Sequence, residues 1–104
     1  MITREQAERL VYERINAANP QWPDMPEMTV IRVDEHELGW VFYYTSRIYH
    51  ETQDFKHAIA GNAPLLVSCE DGMMIPTGTA PPFAERLRAA EQEMRAHLAG
   101  RIVK

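Results

Sequence analysis

Cysteine is almost absent: Cys69 stands alone in 104 residues, so no internal disulfide can form and nothing calls for an oxidising compartment. Long apolar runs are missing too. None approaches the roughly 20 residues that a membrane span needs, and the opening Met1, Ile2, Thr3, Arg4, Glu5, Gln6 holds no apolar signal core. A cytoplasmic protein with no membrane partner is expected. Positive charge is also short, with 11 Lys and Arg against 15 Asp and Glu for a formal net charge of -4. The bases are scattered, whereas tracking a phosphate backbone needs them clustered. Nucleic acid is not an expected partner. Gly61, Gly72 and Gly78 are isolated turn glycines, and none belongs to a phosphate-cradling loop between strand and helix.

What remains suits an ordinary globular protein. The chain is 45% hydrophobic, 25% charged and 9% aromatic, away from the aromatic-poor signature of disorder. At this length folding buries roughly two-thirds of the extended chain's surface, enough for one core. Residues 1–104 are expected to form a single domain, as a monomer or weak homodimer.

A helix start is written at Thr3, which can cap, with Gln6 three positions on to complete a capping box and Ile2 placed to staple onto Ala7. The predicted helix runs from Arg4 to about Ala18. Its apolar face is Ala7, Leu10, Val11 and Ile15, and Asn19 can close it in a left-handed conformation. Pro20, Pro23 and Pro26 then impose a loop, in which Trp22 is either a core lid or an exposed contact.

Two runs rich in β-branched and aromatic residues, Met28 to Val33 and Gly39 to Ser46, predict an antiparallel hairpin with Asp34, Glu35, His36 and Glu37 between its strands. In the second, Trp40, Phe42 and Tyr44 point one way and Val41, Tyr43 and Thr45 the other. Both faces are apolar, so this strand is expected at the centre of a sheet, with the helices on one face. Arg47 to Asn62 is ambiguous; irregular structure with a short helix near Asp54 to Ala60 is expected. Pro64 to Cys69, the Glu70, Asp71, Gly72 turn and Met73 to Pro76 predict a second hairpin. Pro81 and Pro82 suit a first helical turn, and Phe83, Leu87, Ala90, Met94 and Leu98 form one stripe until Gly100. The fold class is α+β, an antiparallel sheet of about four strands with N- and C-terminal helices packed on it.

Candidates for chemistry are thin. His50, Glu51 and His57 suggest a zinc-protease helix, but the two histidines stand seven apart, about 10 Å along a helix, too far to share one ion. No metal or other cofactor is expected. Cys69 with a histidine would make a nucleophile pair, yet it ends an apolar strand, where free cysteine behaves as a small hydrophobe. The acids of the two hairpin turns default to solvated positions, or else form an acidic surface for a basic partner. The stripe of the last helix either packs on the sheet or meets a partner. Its polar face mixes Arg86, Arg88 and Arg95 with Glu85, Glu91 and Glu93, unlike the basic face that anionic lipid attracts.

The run Ile59, Ala60, Gly61, Asn62, Ala63, Pro64, followed by an apolar strand and the Glu70, Asp71, Gly72 turn, resembles the bacterial immunity protein 35 family, the YrhB-type domain. Met1, Ile2, Thr3, then Gly39, Trp40, Val41, Phe42, and Gly78, Thr79, Ala80 with Pro82 agree with it. The resemblance covers Gly39 to Leu87 well and the first helix loosely, through turns and core aromatics with no catalytic signature. Where the family pattern tends to an acid, Thr, Gly, Asp turn, this chain has Glu51, Thr52, Gln53, Asp54.

The resemblance implies a small intracellular protein that neutralises a polymorphic toxin by binding it, not an enzyme. Its YrhB branch implies heat-stable, chaperone-like behaviour as the alternative, for which Met25, Met28, Met73 and Met74 would supply adaptable contacts. A small metal-dependent hydrolase using His50, His57 or Cys69 stands third. The expected partner surface is Asp34, Glu35, His36 and Glu37 together with Trp22 and His50, Glu51, Asp54 and Phe55, because exposed loops with aromatic and charged residues supply binding hot spots.

Overall fold

The computed structural model describes residues 1–17, 24, 26–53, 63–78 and 82–102. Helix α1 (Arg4–Ile15) starts where the sequence places it. Thr3 Oγ1 accepts from the Gln6 amide and Gln6 Oε1 accepts from the Thr3 amide at 2.8 Å, so two otherwise orphaned donors are satisfied reciprocally. The helix stops at Ile15, earlier than expected, because Asn16 is put to another use. Its side chain donates to the Met28 carbonyl at 3.1 Å and accepts from the Met28 amide at 2.7 Å, imitating a neighbouring strand. Asn16→Ala strips both bonds from a buried strand start and is expected to cost about 2 kcal/mol, read as a fall in Tm of roughly 10 °C.

Strands β1 (Met28–His36) and β2 (Gly39–Ser46) form the first hairpin. β1 runs past Val33 to His36, so Asp34, Glu35 and His36 are strand residues and only Glu37 and Leu38 turn the chain. A bulge between Val30 and Arg32 leaves Ile31 46% exposed. The Val30 amide, just before that bulge, donates to the Tyr12 hydroxyl at 3.1 Å. The bulge and α1 together blunt this edge strand against pairing with another chain.

A helix follows β2 directly: α2 (Arg47–Thr52), capped by Ser46 Oγ, which accepts from the Tyr49 amide at 3.2 Å. The ambiguous stretch therefore begins helical, and the helix expected near Asp54 to Ala60 falls outside the described residues. Strands β3 (Leu65–Ser68) and β4 (Met74–Pro76) make the second hairpin, and α3 (Phe83–Ile102) closes the fold. α3 continues through Gly100, since one helical glycine costs only about 1 kcal/mol and need not end a helix.

The sheet order is β1-β2-β3-β4, antiparallel throughout, with β2 interior as its two apolar faces predict. The α+β class holds, with one correction: the helices take opposite faces. Phe42, Leu65 and Val67 bury against Ala7, Val11 and Ile15 of α1. Val41, Leu66 and Ile75 bury against Ala90 and Met94 of α3. Interior strands apolar on both sides leave unpaid hydrophobic area unless both faces are covered. α1 lies over β1 and β2, and α3 over β3 and β4.

Candidate protein-interaction surface

Both hairpin turns lie at one end of the sheet, because Gly39 opens β2 opposite Ser68, which ends β3. The Cys69 amide donates to the Leu38 carbonyl at 2.9 Å, and the Cys69 carbonyl accepts from Ile2 at 2.8 Å, so the two turns and the start of the chain form one surface. The middle of α3 is tied to it by side chains. His36 accepts from the Leu38 amide on Nδ1 at 3.0 Å, which leaves the proton on Nε2, 2.9 Å from Glu91 Oε1. Glu37 pairs with Arg95, and His97 Nε2 lies 2.7 Å from Asp71.

The four acidic-turn candidates are thus divided. His36 is a half-buried strut, its side chain only 12% exposed. Glu37 anchors α3. Asp34 holds Arg32 at 2.8 Å, and the Arg32 guanidinium sits 5.2 Å from the Tyr43 ring centre, where ring quadrupole and cation attract. The Asp34 hydrogen bond raises the Arg32 pKa above its ordinary value. Burial, and then Asp34, push the Tyr43 hydroxyl up. Tyr43 also leans on Phe83, ring centres 6.0 Å apart. Glu35 is exposed and makes no ion pair among the described residues.

His50 and Glu51 lie on α2, beyond Ser46 at the far end of β2. Seven steps of about 3.3 Å put that end roughly 23 Å from Gly39, so these residues do not share a surface with the acidic turn. Glu51 accepts from Arg47 at 3.0 Å, and Glu27 lies 3.4 Å from the same guanidinium; the Glu51 bond raises the Arg47 pKa. Pro26, Ile48 and these charges line a groove of about 470 Å³. Trp22, Asp54, Phe55 and His57 lie outside the described residues. Among the described residues no group of three or more His, Cys, Asp or Glu could hold a metal, and no helix is long and apolar enough to cross a membrane.

A second groove, of about 500 Å³, opens between α1 and the β3–β4 turn, lined by Leu10, Glu13, Arg14, Gly72, Met73 and Met74. Gly72 allows the close approach of Leu10 there: φ is +77, and a Cβ would stand 2.9 Å from Leu10 Cδ1. Sequence reasoning missed this groove, since Leu10 and Met73 are brought together only by the packing of α1 on the sheet.

Residues 5–90 match the family model of immunity protein 35, from the first turn of α1 into the middle of α3. The chain belongs to the immunity protein 35 family. The uncharacterized protein YrhB of Escherichia coli (strain K12) is similar to the chain, 38% identical over 53 residues, which are 51% of this chain and 56% of that protein. The chain thus spans little more than half the length of this relative. No solved structure matches the chain. Arg95 and His97, which tie α3 to the turns, lie beyond the residues matched to the immunity protein 35 model.

Proposed function

We propose that this member of the immunity protein 35 family binds a cognate toxin domain in the cytoplasm and neutralises it by protein contact, without catalysis. The observation that carries the reading is the family match over residues 5–90. A net charge of -4 supports it, because an acidic surface speeds encounter with a basic partner. Glu35 remains free for such contact, and Asp34, His36 and Glu37 would act by holding the turn in shape. His50 and Glu51 would belong to a separate contact, roughly 23 Å away.

Co-expression with the product of the adjacent gene tests the proposal. The expected result is rescue of growth and a stable one-to-one complex on size-exclusion chromatography. Toxicity that persists with no complex formed sinks the immunity reading, and suppression of aggregation for several unrelated clients would put a chaperone-like role in its place.

A further inference from the structure

Met73 is 40% exposed, yet the turn that carries it is held by main-chain and Asp71 bonds. Gly72 donates to Ser68 at 3.0 Å, Ser68 to Met73 at 2.9 Å, and Met73 to Asp71 Oδ1 at 3.0 Å. Glu13, Glu35 and Glu70 are exposed carboxylates without an ion pair among the described residues, whereas Glu37, Asp71 and Glu91 are each tied to α3 or the turns. The groove between α1 and the β3–β4 turn has Leu10, Met73 and Met74 in its lining with Glu13 and Arg14 as its charges, and Glu70 lies in the turn beside it, whereas Glu35 stands three strands from Met74 in the row Glu35, Trp40, Val67, Met74. Methionine side chains adapt their shape to an inserted group.

We propose that the groove between α1 and the β3–β4 turn is the toxin-docking surface, receiving an apolar anchor from a basic face of the partner while Glu13 and Glu70 meet its cations. This rests on the immunity reading and gives it a location. Charge complementarity selects the occupant: Glu13 in the lining and Glu70 in the adjoining turn, neither in an ion pair among the described residues, favour Lys- and Arg-rich protein surface over a neutral or acidic one. A central apolar pocket with a charged rim is also the usual anatomy of an interface. The bulged, Tyr12-bonded edge of β1 makes strand addition there the poorer alternative.

The test is titration calorimetry of the full-length chain with the toxin domain encoded beside it, at low and at physiological salt. Met73→Ser is expected to weaken binding at least tenfold. Glu13→Lys combined with Glu70→Lys is expected to weaken binding at least tenfold at low salt and to flatten its salt dependence. Ile48→Ser, on the α2 groove at the opposite end, should stay within twofold. All of these side chains are exposed, so melting temperatures should match the parent. A wild-type complex that is indifferent to Met73→Ser and the double charge reversal overturns the docking surface and leaves the immunity function standing. A wild-type chain that forms no complex overturns the function, and the surface falls with it.

Discussion

Gly39→Ala is expected to remove a large share of the fold's stability. Gly39 opens β2 with φ at +152, and a Cβ built there would lie 1.9 Å from the Val67 carbonyl oxygen and 2.8 Å from the Cys69 nitrogen. Both obstacles are main chain in β3 and its turn, so no side chain can swing aside to make room. Relief requires β2 and β3 to separate at Gly39 and Ser68, where the Cys69 to Leu38 bond also joins the two hairpins. A change of that kind is expected to cost more than about 4 kcal/mol, against a total stability on the order of 5–15 kcal/mol. Gly100→Ala is the matched control: nothing lies within 4 Å of its Cβ position, and the site is helical. It should gain up to about 1 kcal/mol. Urea titrations followed by circular dichroism check both, and a Gly39→Ala midpoint close to the parent's would refute the steric account.

The elements that were legible in the sequence are those whose signals are local. Thr3 and Gln6 announce the start of α1 because a capping box lies within four residues, and the alternation of Trp40 to Thr45 shows that β2 is apolar on both faces. Ser46 was an unread local signal, since its capping hydroxyl looks the same as any strand-end serine until Tyr49 turns back onto it. Gln53 shows how a non-glycine residue closes a helix: it takes the left-handed conformation at φ 58 and donates from its own side chain to the His50 carbonyl at 2.9 Å. The non-local features could not be read. Which face each helix takes depends on the register Val41 to Leu66, which sets the parity of every inward residue, and no single strand encodes that.

The same limit governs the candidate surface. Asp34, His36 and Glu37 look like one exposed acidic turn because their partners are remote in the chain: Glu91 is 55 residues from His36, and Arg95 is 58 from Glu37. Asp34 differs, for its partner Arg32 is two residues away and on the same strand face. Glu35 points to the other face, toward α1, and so remains free. Composition alone identified acidic chemistry; distribution between structural ties and free charge required the fold.

Phe42→Ala should separate the two cores from each other. Phe42 is fully buried on the α1 face, between Val33 of β1 and Leu65 of β3 in the register, and its cluster includes Ala7, Val11 and Ile15. Truncation removes the largest fully buried side chain among the described residues and leaves a cavity that close-packed neighbours only partly fill, for about 3–5 kcal/mol. Leu66→Ala opens the α3 face instead, at about 2–5 kcal/mol, but there His36 to Glu91, Glu37 to Arg95 and His97 to Asp71 still hold the helix. Native-state hydrogen exchange should therefore show α1 amides losing protection in Phe42→Ala while α3 amides keep theirs. Leu10, a wall of the proposed docking groove, is carried by α1. Under conditions where both variants remain folded, toxin affinity should accordingly drop further in Phe42→Ala than in Leu66→Ala. Equal losses would place the partner's contact on an element that both cores support alike.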